Sequence, residues 1–137
     1  LDRLASTIEI ATSRKKDGLS KVMAGLEAFV ELCSWRQNLA KIVLVGTVGL
    51  GRAYDKRLID LHPKFASMFK GYMDQAVAEE AIPPIDTELA SYVWLGAIGE
   101  ITVRWLYTGT PKNLASILPQ IKKMMLGSLY SREALRD

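Results

Sequence analysis

The chain contains few of the residues that carry out chemistry. Its 137 residues include a single cysteine, Cys33, and a single histidine, His62. One cysteine cannot form an internal disulfide, which fits a reducing compartment and predicts a cytoplasmic protein. The sequence has no HExxH motif, no paired cysteines and no Ser–His–Asp arrangement. We therefore expect no bound metal, no cofactor and no enzymatic activity.

Long apolar runs and a strong charge of one sign are absent as well. The most apolar stretch, residues 89–107, is interrupted by Glu100 and Arg104, so we expect no membrane-spanning helix and no membrane partner. The net charge is only +3. Basic clusters at residues 14–16 and 122–123 have no interleaved aromatic residues, so we do not expect this chain to bind DNA by itself.

What the chain does contain is helical periodicity. Hydrophobic residues make up 49% of it and charged residues 24%, which is typical of one folded domain spanning residues 1–137. Apolar side chains recur at steps of three and four residues, and no segment alternates with a period of two for long. This pattern predicts an all-α bundle of five to six helices. The predicted helices are 1–11, 19–35, 37–48, 54–77, 87–108 and 111–129.

Polar caps and prolines predict where these helices begin, end or bend. Asp17 and Asp86 are predicted N-caps, and Thr110 followed by a proline is predicted to cap the last helix. Pro63 interrupts an apolar face without changing its phase, so we prefer one long kinked helix there over two short ones. Pro119 is expected to bend the last helix.

The last two helices have more apolar surface than one small domain is expected to bury. Between Leu89 and Tyr107 the apolar residues cover almost the whole circumference, so this helix should be buried on two sides. We predict a homodimer in which both C-terminal helices of each subunit form a four-helix bundle. Glu100 and Arg104 are either a pair at the dimer interface or an ordinary surface pair. The candidate interface residues are Tyr92, Val93, Gly96, Glu100, Val103, Arg104, Tyr107, Leu114, Leu118, Ile121 and Met125.

The middle helices carry bulky aromatic and methionine side chains that are suited to line an apolar cavity. Each of them is also explained as ordinary core. His62 lies on this apolar face, as a core histidine or as a polar contact to a ligand, and Cys33 is expected to be an inert buried thiol. The candidate pocket residues for a small apolar or aromatic effector are Phe29, Cys33, Trp35, Tyr54, His62, Phe65, Phe69, Tyr72, Met73 and Trp94.

Two consecutive segments in the C-terminal half carry a recognisable pattern, AIPPIDTELASYVWLGAIGEITVRWLY at 81–107 and TGTPKNLASILPQIKKMMLGSL at 108–129. Their motifs are the Pro-Pro-Ile-Asp start, the small residues at Gly96 to Gly99 and the Leu-Pro-x-Ile pattern at Leu118 to Ile121. With these motifs the chain resembles the C-terminal domain of tetracycline-repressor (TetR) family regulators. Upstream, LVGTVGLG at 44–51 and the helix that contains Phe65 are also similar, so the resemblance covers nearly the whole chain.

The resemblance implies a dimeric transcriptional regulator, expected to be a repressor, with a ligand cavity between its middle helices. It also implies an N-terminal helix-turn-helix that reads operator DNA, and this domain is missing from the sequence. The first predicted helix has no capping residue before it, so we expect residues 1–16 to connect to such an upstream domain. Operator DNA would then be a partner only through that domain.

Two other interpretations compete with this one. The first is a helical dimerisation or scaffold module with a filled core and no ligand, which would have no cavity of several hundred cubic ångströms. The second is a small helical enzyme that uses His62 with a nearby carboxylate, although nothing in the sequence nominates a reaction.

Overall fold

The chain is helical wherever the structure assigns regular secondary structure. The computed structural model describes residues 2–38 and 52–130, with side chains for 5–38 and 64–129. The described part contains no strand, and this confirms the predicted all-α fold. Its elements are the helices α1 (Asp2–Ser13), α2 (Gly18–Trp35), α3 (Arg52–Ala78) and α4 (Thr87–Thr108), a 3₁₀ turn (Leu114–Ile117) and helix α5 (Leu118–Tyr130). The predicted helix 37–48 falls almost wholly outside the described residues.

Helices α2 and α4 begin where their caps predict. The Asp17 carboxylate accepts a hydrogen bond from the Ser20 backbone N–H at 2.9 Å. The Asp86 carboxylate does the same for the backbone N–H of Leu89 at 3.0 Å. Each bond satisfies an N–H group that the first turn of a helix leaves without a partner. Gly109 ends α4 with a φ of 69°, a left-handed conformation that glycine adopts without steric cost.

Prolines 63 and 119 have different consequences. Pro63 lies within α3, which is assigned as one helix from Arg52 to Ala78, so the prediction of one long helix is confirmed. Pro119 is the second residue of α5, where its missing N–H has no helical partner to lose. The last helix therefore begins at Leu118, later than predicted, and Pro119 lies in its first turn, where it does not bend the helix interior.

The cap predicted at Thr110 was wrong. Asn113 is the N-cap of the 3₁₀ turn, and its side-chain oxygen accepts a hydrogen bond from the backbone N–H of Ala115 at 3.0 Å. Thr110 lies three residues earlier in the exposed connection after α4. The chain therefore makes a short tight turn from Leu114 before α5 begins at Leu118.

Helix α2 lies at the centre of the described structure. It packs against α1, α3, the 3₁₀ turn and α5, whereas α4 packs mainly against α3. The hydrophobic core accordingly includes side chains from all of these elements. Among the described elements, helix α4 therefore has its main neighbour, α3, on one side.

Helix α2 begins in direct contact with the backbone of α3. A Cβ atom at Gly18 would lie 2.4 Å from the carbonyl oxygen of Tyr72, a distance that no side chain tolerates. The backbone N–H of Gly18 donates to Glu79 Oε1 at 2.8 Å, and Gln75 Nε2 donates to the carbonyl of Lys16 at 2.8 Å. These contacts hold the α1–α2 turn against the C-terminal part of α3.

Candidate functional site

Four helices contribute side chains to an apolar cluster in the interior. The cluster surrounds a small cavity of about 10 Å³. Such a volume corresponds to about one water molecule, so the space between these described side chains is essentially filled. The residues around the cavity, which we name the interior cluster, are Leu26, Phe29, Phe69, Trp94, Leu95, Ile98 and Met125.

Three candidate pocket residues, Phe29, Phe69 and Trp94, belong to the interior cluster. Two more lie beside it. Phe65 makes an edge-to-face contact with Phe29 at 6.2 Å between ring centroids, and Met73 is fully buried. The middle helices therefore bring these aromatic and methionine side chains into one region. Ring contacts of this kind stabilise a core whether or not a ligand binds there.

The other candidate pocket residues have different positions. Trp35 is 85% exposed at the end of α2 and is not part of the interior cluster, so its place in a pocket stays a prediction. Trp35 is exposed because it lies beyond Cys33, the last buried residue of α2. Burial raises the pKa of the Cys33 thiol to about 12, so this thiol stays protonated. The side chains of Tyr54 and His62 lie outside the described residues.

Leu26, Leu95 and Ile98 belong to the interior cluster, although the sequence analysis did not nominate them. Helical spacing contained a signal for two of them. Leu26 lies three residues before Phe29, and Ile98 lies four residues after Trp94, so each shares a helix face with a nominated aromatic residue. The pocket prediction named aromatic, histidine, cysteine and methionine side chains, and it therefore left out this aliphatic part of the lining.

Tyr72 connects the interior cluster to α1. Its ring packs edge-to-face against Phe69 at 6.2 Å between centroids, and its hydroxyl is hydrogen-bonded to the hydroxyl of Thr12 at 2.8 Å. Thr12 is buried at the end of α1. A Cβ atom at Gly25 would lie 3.4 Å from both Phe69 and Thr12, so these three residues pack closely. Sequence spacing gave no sign of this contact.

Helix α4 has two faces with opposite environments. Its inner face is buried and includes Trp94, Ile98 and Trp105. Its outer face exposes large apolar side chains: Leu89 is 62%, Val93 58% and Tyr107 64% exposed. We name as the outer face of α4 the residues Leu89, Tyr92, Val93, Gly96, Ala97, Glu100, Val103, Arg104 and Tyr107. The candidate interface residues of this helix all lie on that face.

The candidate interface residues of the last helical segment lie elsewhere. Leu114, Ile121 and Met125 are buried within the chain itself, and Leu118 is half-buried. Met125 belongs to the interior cluster. These side chains are core because α5 and the 3₁₀ turn pack against α2. In this conformation a second chain has little of the surface of Leu114, Ile121 and Met125 left to cover, and their place in an interface stays a prediction.

The outer face of α4 also carries charge. Glu100 and Arg104 are both exposed, and among the described side chains they form no ion pair with each other. The ion pairs that the described part does contain join Lys70 to Asp74 and Lys122 to Glu27. Both charges of the outer face therefore remain available to another molecule.

A surface groove borders the outer face. It has a volume of about 240 Å³ and lies between α3 and α4. Its walls include Ser67 and Lys70 of α3 and Glu88 and Tyr92 of α4. Because Tyr92 belongs to both features, the groove and the outer face form one continuous surface.

No protein-family model, no curated protein and no solved structure matches the chain. Within residues 2–38 and 52–130, no cluster of histidine, cysteine or acidic residues is arranged to hold a metal ion. None of the helices in those ranges is long and apolar enough to cross a membrane.

Proposed function

We propose that the chain is the effector-binding and homodimerising domain of a cytoplasmic TetR-like transcriptional regulator, acting as a repressor. DNA would be read by a domain outside these residues. The observation that carries the proposal is the outer face of α4, which one chain leaves in contact with water along the whole helix. It lies on the helix formed by the segment 81–107, one of the two segments that carry the resemblance, and this connects the two lines of support.

The exposed apolar side chains support a protein partner for this face. An exposed apolar patch that also carries aromatic residues and a few charges is typical of an interaction surface. Leu89, Val93 and Tyr107 all lose water contact only if another molecule covers them. A second copy of the chain supplies such a surface at equal concentration, which favours the homodimer.

The interior cluster supports a small apolar effector. Its lining is aromatic and aliphatic, and Met125 is a flexible side chain that can adopt new rotamers around a guest. A cavity of about 10 Å³ does not hold such a molecule, so binding requires side chains to move apart. An effector that binds the open conformation more tightly than the filled one then shifts the equilibrium between them by that difference in binding free energy.

A second candidate function is a dimerisation module that binds no ligand. The small volume of the cavity favours it, because drug-sized ligands occupy roughly 300–1,000 Å³. This candidate shares the outer face of α4 with the first and differs only in the interior.

Sedimentation analysis over a range of concentrations tests the dimer. We expect the wild-type chain to sediment as a dimer and Val93→Glu to sediment as a folded monomer, because a charge on the outer face opposes burial. Gln120→Glu, on the exposed face of α5, is the matched control and should remain dimeric. A wild-type chain that stays monomeric at high concentration contradicts the proposal.

Thermal unfolding with a panel of fatty acids, planar aromatic compounds and hydrophobic drugs separates the two candidate functions. A ligand that binds only the folded state raises the Tm. We expect at least one class of apolar compound to do so, with a smaller shift in Leu26→Phe, where the larger side chain occupies the cavity region. No shift with any compound would favour the dimerisation module.

A further inference from the structure

The outer face of α4 has the repeat of a helix-pairing seam. The side chains along its midline follow successive steps of four, three, four, three and four residues. This alternation averages 3.5 residues per turn, which is the spacing that keeps one helix in contact with another along its length. The seam positions are Leu89, Val93, Gly96, Glu100, Val103 and Tyr107.

The seam is bulky at its ends and small near its middle. Leu89 and Tyr107 occupy the two ends, and Gly96 lies near the centre. Apart from its two chain neighbours and the backbone of its own helix, no described atom lies within 4 Å of the place where a Cβ of Gly96 would be. A second helix can therefore approach the backbone closely at this point, whereas the ends offer side chains for it to pack against.

The spacing of its positions allows the seam to pair with the same seam of a second copy in the antiparallel direction. The steps read the same from either end. When two copies run antiparallel about a level near residue 98, each seam position meets another seam position. Leu89 then lies level with Tyr107 of the partner subunit, and Gly96 lies level with Glu100 of the partner subunit.

The charges of the outer face favour this direction over the parallel one. In parallel pairing about a two-fold axis, Glu100, a seam position, would face its own copy, which places like charges together. In antiparallel pairing, Arg104 lies level with Tyr92 of the partner subunit, where a guanidinium can pack against an aromatic ring. Glu100 then lies opposite the small Gly96 and has room to reach water.

We infer that α4 pairs antiparallel with α4 of a second copy, with the two-fold axis near residue 98. This inference rests on the proposed homodimer and specifies how it is built. It differs from the bundle predicted from the sequence, because α5 uses its apolar side chains within its own chain. A second copy is the occupant that the seam favours, because antiparallel pairing matches its spacing, sets the small Gly96 level with Glu100 and does not place Glu100 opposite its own copy.

Disulfide cross-linking between variants that each carry one added cysteine tests the pairing. Leu89→Cys and Tyr107→Cys place new thiols at the two exposed ends of the seam. A disulfide needs Cβ atoms within roughly 3.5–4.5 Å, so it reports which ends meet. The native Cys33 does not compete, since it is buried and protonated.

We expect a mixture of the two variants to form a covalent dimer on mild oxidation. About half of the chains should be cross-linked, because random subunit exchange places roughly half of them in mixed dimers. Either variant alone should give almost none. Met124→Cys, an exposed position on α5, is the control and should also give none.

Each other outcome overturns the pairing in a recognisable way. Cross-linking of Leu89→Cys with itself shows parallel helices. No cross-link in a mixture that sediments as a dimer under reducing conditions places the interface elsewhere and leaves the proposed homodimer standing. No cross-link in a mixture that sediments as a monomer overturns the homodimer as well.

Discussion

Helices α4 and α5 have similar sequences in one respect and opposite positions in the fold. Both carry apolar residues around much of their circumference. Helix α5 buries Ile121, Met125 and Leu129 in its own chain and exposes Met124 as its large apolar residue. Helix α4 buries one face and leaves a second apolar face uncovered. Apolar side chains therefore form part of the core in α5, whereas in α4 many of them lie on the surface.

The difference follows from the number of neighbours that each helix has. Helix α5 and the 3₁₀ turn before it both pack against the central helix α2. Helix α4 packs mainly against α3 and has no comparable neighbour on its other side among the described elements. An apolar helix face predicts burial, but the positions of the neighbouring helices decide whether the same chain provides it.

The largest expected effect separates the two faces of α4 at neighbouring residues. Trp94→Ala should lower the free energy of unfolding by about 3–5 kcal/mol, because it leaves a cavity in the core. Val93→Ala should change the stability of the monomer by less than about 0.5 kcal/mol and weaken dimerisation instead. Urea denaturation and sedimentation measure the two effects. Equal losses of monomer stability would mean that α4 does not have two distinct faces.

A second prediction concerns α5. Ile121→Ala should cost about 2–5 kcal/mol of unfolding free energy while the monomer–dimer equilibrium stays unchanged, since Ile121 is buried within one chain. Met124→Ala is the matched control and should have almost no effect on stability, because Met124 is 74% exposed. If Ile121→Ala instead dissociated the dimer without a loss of monomer stability, the four-helix interface predicted from the sequence would be restored.

The parts of the fold that depend on local sequence were predictable. The caps at Asp17 and Asp86, the stop at Gly109 and the helical spacing all act over one or two turns. The cap at Thr110 was wrong because two plausible polar caps, Thr110 and Asn113, lie three residues apart. Local propensity ranks such neighbours poorly, and packing of Leu114 against the core decides between them.

The candidate site was predictable only in part. Phe29, Phe69 and Trp94 converge as expected, since each lies on the buried face of its helix. Met125 was assigned to an interface because helical spacing identifies an apolar face without identifying what covers it. The contact between Thr12 and Tyr72 joins residues 60 positions apart, and no periodic pattern indicates a pair at that separation.

The smallest predicted effect concerns the attachment of α4 to α3. The Asp74 carboxylate accepts hydrogen bonds from Lys70 Nζ at 2.8 Å and from the Thr87 hydroxyl at 2.6 Å. These bonds, first that of Lys70 and then that of Thr87, lower the pKa of Asp74 below its ordinary value.

A lowered pKa in the folded state adds stability above the ordinary pKa of an aspartate, and this contribution disappears as the pH falls through the folded value. We therefore expect Asp74→Asn to reduce stability slightly at neutral pH and to have less effect below about pH 4. Because the carboxylate is half-exposed, solvent keeps the change small. Urea denaturation from pH 3 to 7 measures it, with Glu80→Gln, an exposed carboxylate outside this contact, as the control. If Asp74→Asn were as destabilising at pH 3 as at pH 7, the Asp74 charge would have no part in holding α4 against α3, and the inner face of that helix would be fixed by apolar packing alone.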